Sequence, residues 1–115
     1  MIARTMLAAI LAFAPTVAAA RCVGSQNTSW YHEPQLLPDG SRYRPESETC
    51  ASREFPAGTL LRVIDQDTGL GVDCLVSDFG PNPWTHCRLD LSRKAAERIG
   101  MTTRGVIRAN ITIAP

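Results

Sequence analysis

Hydrophobic and polar positions alternate clearly in the middle of the chain. In "LGVDCLVSD", Val72, Cys74 and Val76 fall on one side of an extended segment, with polar or small residues between them, as a half-buried strand requires. The preceding "TLLRVIDQ" is rich in β-branched residues and ends at "DTG", a hairpin signal. "RLDLS" predicts a short strand. Ser92 then stands as an N-cap for "RKAAERIG", with Gly100 at the stop position, so a short helix is expected over residues 92–99. "GVIRANITI" closes the chain as a strand with Val106, Ile111 and Ile113 as core candidates. Before this region the pattern is weaker. "SWY" (29–31) and "TCAS" predict short strands, and "RCVGSQNT" (21–28) reads as a polar lead-in. Residues 32–48 carry three prolines, a glycine and many charges, which is loop composition with "PDG" as a turn. The sum is about six strands forming a small β-barrel with one short helix.

The N-terminal twenty residues follow a different rule. Arg4 gives a short positive region, "MLAAILAFA" an apolar run too short to span a bilayer, and "TVAAA" the small residues a signal peptidase reads. Residues 1–20 are therefore read as a cleaved signal peptide, and residues 21–115 as one exported domain with no membrane anchor after cleavage. Arg21 occupies the position where lipid attachment at Cys22 would need a small residue. Loss of Arg4 leaves basic residues equal in number to the 11 acidic ones. That balance offers no excess charge for nucleic acid or an anionic membrane.

Four cysteines, Cys22, Cys50, Cys74 and Cys87, in a small exported domain read as two disulfides. Cys74 and Cys87 flank the Asp78 turn, so the expected pairing is Cys74–Cys87 with Cys22–Cys50. No C-x-x-C pair is present, and His32 and His86 lack zinc-motif spacing, so neither a metal site nor a cofactor is expected.

The motifs taken in order resemble the rare lipoprotein A family of cell-wall proteins. They are Ser29-Trp30-Tyr31, Pro56-Ala57-Gly58-Thr59, Asp78-Phe79-Gly80-Pro81, and Asp90-Leu91-Ser92 running into Ala95-Ala96. The family domain is a double-psi β-barrel, shared with expansins. The resemblance implies a periplasmic or secreted domain that acts on peptidoglycan or another cell-wall glycan, read as a monomer. It also implies lytic transglycosylase chemistry with Asp78 as the active-site aspartate. Two positions depart from the family pattern: Ser41 stands where the family carries a glutamate, and Ser52 where it carries a histidine.

A lytic transglycosylase can work with one carboxyl group acting first as acid and then as base, because the sugar's own hydroxyl is the nucleophile. Asp78 alone therefore suffices in principle, with Glu33, Glu46, Glu48, Glu54 or Asp90 as neighbouring carboxylates. Against this stands a purely structural role for Asp78, accepting backbone N–H bonds in the Gly-Pro turn. Asp90 itself reads as structural, beside the helix cap. Tyr31, Tyr43 and Trp84 are the candidate sugar-stacking residues, and His86 a candidate second proton-handling group. Trp30 reads as core. The alternative function is a non-catalytic, expansin-like glycan-binding module. An aspartic protease would need two Asp-Thr/Ser-Gly turns, and only Asp67-Thr68-Gly69 is present.

Overall fold

The structure, a computed structural model, describes residues 17–32, 36–81 and 86–115, with side chains from residue 19 onward. Six strands are described: β1 (Gly24–Tyr31), β2 (Thr49–Ala51), β3 (Leu60–Asp65), β4 (Gly71–Asp78), β5 (Leu89–Ser92) and β6 (Ile107–Ile113). They close into a barrel in the order β1-β5-β2-β4-β3-β6. Two neighbours run parallel, β1 with β5 and β2 with β4; the other pairs are antiparallel. The expected barrel and helix are therefore present. A five-residue helical turn, α1 (Val17–Arg21), precedes β1 and overlaps the end of the segment read as signal peptide, and its Ala19 is buried against the core.

Alternation fills the barrel. Leu61 and Val63 of β3, Val72, Cys74 and Val76 of β4, and Ile107, Ala109 and Ile111 of β6 point inward. Residues between them face out, among them Arg62 and Asp73, which pair across β3 and β4 at 2.9 Å. The helix α2 (Arg93–Arg98) lays Ala95 and Ala96 on the same core. Ser92 caps it as expected: its Oγ accepts from the Ala95 N–H at 3.2 Å. Gly100, at φ +69°, turns the chain out of the helix in a conformation that favours glycine.

β1 is longer than its sequence suggests. "RCVGSQNT" was expected to lead in, but residues 24–28 are strand. Of Gly24–Tyr31 only Thr28 is fully buried, so apolar alternation is absent. Backbone hydrogen bonds to β6 on one side and β5 on the other hold the segment extended instead.

The disulfides also differ from expectation. They are Cys22–Cys87 and Cys50–Cys74, with Cα–Cα distances of 5.1 and 5.8 Å. Strand order explains the correction. β5 lies between β1 and β2, and β2 lies between β5 and β4. The expected Cys22–Cys50 and Cys74–Cys87 bridges would each cross an intervening strand, a span of about 10 Å from the interstrand spacing, beyond a disulfide's reach. Each observed bridge joins regions on or next to adjacent parallel strands.

One buried ion pair closes the far end of β3. Asp65 is fully buried, and its carboxylate accepts hydrogen bonds from the Arg104 guanidinium and the Asp67 N–H. Burial opposes its ionisation, but these bonds and the Arg104 charge outweigh that and hold its carboxyl below the usual carboxylate range. A depressed pKa contributes stability that is present above the unfolded-state value and is lost as pH falls through the folded one. We expect Asp65→Ala to cost about 3 kcal/mol and to flatten the acid limb of the stability curve. Urea melts at pH 7 and in the acid range check both.

Candidate functional site

The site begins with a slip in register. Cys50 of β2 lies opposite Val76 of β4, but the next residue, Ala51, lies opposite Asp78, leaving Ser77 as the extra residue. Simple alternation from Val72, Cys74 and Val76 would aim Asp78 into the core. The slip re-aims it, as β-bulges do. Ala51 also lies opposite Asp90 of β5, and Asp90 opposite Ser29 of β1. Ser29, Asp90, Ala51 and Asp78 thus form one row across four strands. Residues in one row share a face of the sheet, and Asp90 alternates with the inward-pointing Leu89 and Leu91, so that face is the outer one. Two half-buried carboxylates flank Ala51, their Cα atoms about 10 Å apart from the interstrand spacing.

Tyr31 ends β1 two residues after Ser29, on the same side. Its hydroxyl donates to Asp78 Oδ2 at 3.4 Å, a long bond for O–H···O. The other oxygen, Asp78 Oδ1, accepts from the Phe79 N–H at 2.8 Å. Burial, then the charge of Asp78, then neighbouring Tyr43 and Asp90 push the Tyr31 phenol far above its ordinary range. Tyr31 is therefore a permanent donor that senses both carboxylates. Ser29 Oγ donates to Asp90 Oδ1 at 3.0 Å.

Tyr43 supports this arrangement from beneath. Its ring stacks on Tyr31 at 4.4 Å between centroids, and it is only 3% exposed. Its hydroxyl donates to the Tyr31 carbonyl at 2.7 Å and accepts from the Arg93 N–H at 3.2 Å, tying the start of α2 to the site. Trp30 packs partly against the core, its ring 5.5 Å from that of His32. His86 is exposed in the turn before β5, at φ 51°. Trp84 and Glu33 lie outside the described residues. Glu48 is engaged with Arg98 at 2.6 Å.

The two family departures have separate structural uses. Ser52 is buried and holds the turn after β2, its Oγ accepting from the Glu54 and Phe55 N–H groups. Its own N–H donates to the Asp78 carbonyl at 3.1 Å. Ser41 is exposed; its Oγ and N–H donate to Asp39 Oδ1 at 2.6 and 2.9 Å.

Sequence reading missed Phe79 and Arg53. Phe79 follows Asp78 and is 60% exposed. The Arg53 guanidinium lies 4.3 Å over its ring and donates to the Pro81 carbonyl at 3.2 Å. The signal available was an aromatic residue inside the Asp-Gly-Pro turn; the arginine, 26 positions earlier, gave none.

The family described as lytic transglycolase matches residues 23–111. A probable endolytic peptidoglycan transglycosylase RlpA of Nostoc sp. is 39% identical over 75 residues, covering 64% of this chain and 20% of that protein. The chain thus spans about a fifth of that relative's length. Among solved structures, a Streptomyces papain inhibitor superposes with a TM-score of 0.60 at 18% identity, over 78% of this chain and 93% of the other. An expansin of Clavibacter michiganensis superposes with a TM-score of 0.56 at 20% identity, over 80% and 50%. These likenesses establish the double-psi β-barrel fold.

Proposed function

Because the chain belongs to the lytic transglycolase family, we propose that it is an exported domain acting on the glycan strands of peptidoglycan as a lytic transglycosylase. Residues 1–20 serve as its signal peptide. Asp78 is the acid and then the base. As a carboxylic acid it gives its proton to the glycosidic oxygen while the C1–O bond breaks. As a carboxylate it then takes the proton of the sugar's C6 hydroxyl, whose oxygen closes on C1 to form the 1,6-anhydro ring. Tyr31 orients the carboxyl group throughout, and Asp90 places a second negative charge on the same face, where positive charge develops at C1.

The observation that carries this reading is the register slip at Ser77. It takes Asp78 out of the core and sets it in one row with Asp90, beside the Tyr31 hydroxyl. The test is incubation with peptide-stripped peptidoglycan and mass spectrometry for anhydro-muramyl ends. Their appearance supports the enzyme. Their absence from protein that still binds the strands rejects it. Tyr31→Phe keeps the ring on Tyr43 and removes only the donor, so we expect cleavage roughly tenfold slower at unchanged fold. Initial rates and circular dichroism check this.

A second reading, glycan binding without cleavage, has one observation in its favour. Ser41 offers no carboxylate, and its hydroxyl is turned to Asp39.

A further inference from the structure

β4 ends at Asp78, so Phe79, Gly80 and Pro81 belong to no strand. That turn nevertheless carries a restraint on the carboxyl group. The Phe79 N–H donates to Asp78 Oδ1 at 2.8 Å, and rotation of its peptide would break the bond. The Tyr31 bond to Oδ2, at 3.4 Å, is the looser of the two. The segment after β2 grips the turn at both ends. The Ser52 N–H donates to the Asp78 carbonyl at 3.1 Å, and Arg53 Nη1 donates to the Pro81 carbonyl at 3.2 Å. Between these bonds the Arg53 guanidinium lies 4.3 Å over the centre of the Phe79 ring. A guanidinium can do both at once, because its flat face stacks while its edge donates.

We propose that Arg53 is a positioning residue for Asp78: it clamps the turn so that the Phe79 N–H stays aimed at the carboxyl group. The role rests on the acid–base reading of Asp78 above and adds what keeps that group in place. Arg53 acts through the ring and the backbone of the turn. Without it, the half-buried Pro81 loses its bond and a ring already 60% exposed loses its cover. A reacting group displaced by even about 1 Å can cost as much as 10²-fold in rate.

The test compares wild type with Arg53→Ala, Arg53→Lys, Phe79→Leu and the Arg53→Ala/Phe79→Leu double variant, each with both disulfides intact. Anhydro-muramyl ends are measured against the concentration of peptide-stripped peptidoglycan, which separates kcat from KM. Amide hydrogen exchange at Phe79 is followed by NMR, and thermal melts report the fold. Arg53→Ala is expected to lower kcat roughly tenfold at unchanged KM and melting temperature, with faster exchange at Phe79. Arg53→Lys should recover little, since an ammonium cannot stack and donate together. Phe79→Leu should lower kcat less, because the Pro81 bond remains. The double variant should fall no further than Arg53→Ala, as expected of two groups in one clamp. A wild type that yields no anhydro ends overturns the acid–base reading and this role with it. A wild type that cleaves, beside an Arg53→Ala that cleaves as fast or protects Phe79 as well, overturns the role alone. Full rescue by lysine, a raised KM at wild-type kcat, or a loss of activity that only follows a lower melting temperature also overturns it.

Discussion

Asp78→Asn is expected to yield a folded protein that makes no detectable anhydro-muramyl ends. Asparagine keeps an acceptor for the Phe79 N–H, and its amide can donate to the Tyr31 oxygen, so the turn survives. It has no carboxyl proton to give. Loss of a general acid typically slows the step by ~10²–10⁴-fold. Mass spectrometry of products from peptide-stripped peptidoglycan, beside circular dichroism and a strand pull-down, separates the outcomes. Equal product from wild type and variant removes Asp78 from the mechanism. If the residue serves only the turn, the variant should lose about 1 kcal/mol of stability and nothing else.

Reduction is expected to have the largest effect on stability. Cys22–Cys87 closes a loop with sequence separation 65, and Cys50–Cys74 one of 24. On loop-closure entropy these restrain the unfolded chain by about 4 and about 3 kcal/mol. A small domain has only about 5–15 kcal/mol in total. The fully reduced protein should therefore lose most of its cooperative unfolding transition, and the site with it. Thermal melts with and without a reductant that reaches buried bridges check this. A reduced protein that melts within a few degrees of the oxidised one contradicts it.

The sequence carried the local signals and missed those that depend on neighbours. Ser92 was readable as a cap because the bond it makes is three residues away. The inward side of β4 was readable because Val72, Cys74 and Val76 keep strict alternation. Asp78 was marked by its motif, but continued alternation would have placed it inside. Only its partner strand reveals the extra residue at Ser77. Asp90 read as a structural companion of the helix cap; the structure also sets it in one row with Asp78, a relation visible only once β2 is known to lie between them. The disulfide pairing failed for the same reason, since proximity along the chain is a poor guide in a barrel with parallel crossings. Residues 24–28 of β1 were missed because their extended form is fixed by backbone bonds to neighbouring strands rather than by apolar residues of their own. Tyr43 was legible as an aromatic of the site region. Its place under Tyr31, with no face of its own to offer a sugar, was not.

The closing strand has a kinetic consequence. β6 pairs with both β1 and β3, and Gly24 lies opposite Ile111, near the two ends of the domain. Until residues 107–113 are available, β1 and β3 each keep a raw edge and the cylinder cannot shut. Contacts this distant in sequence make folding slow. A chain that stays open until its last strand arrives also stays threadable. For the exported domain proposed above, that lets the chain pass a translocation pore as an extended polymer and fold on the far side, where an oxidising environment locks its thiols in pairs.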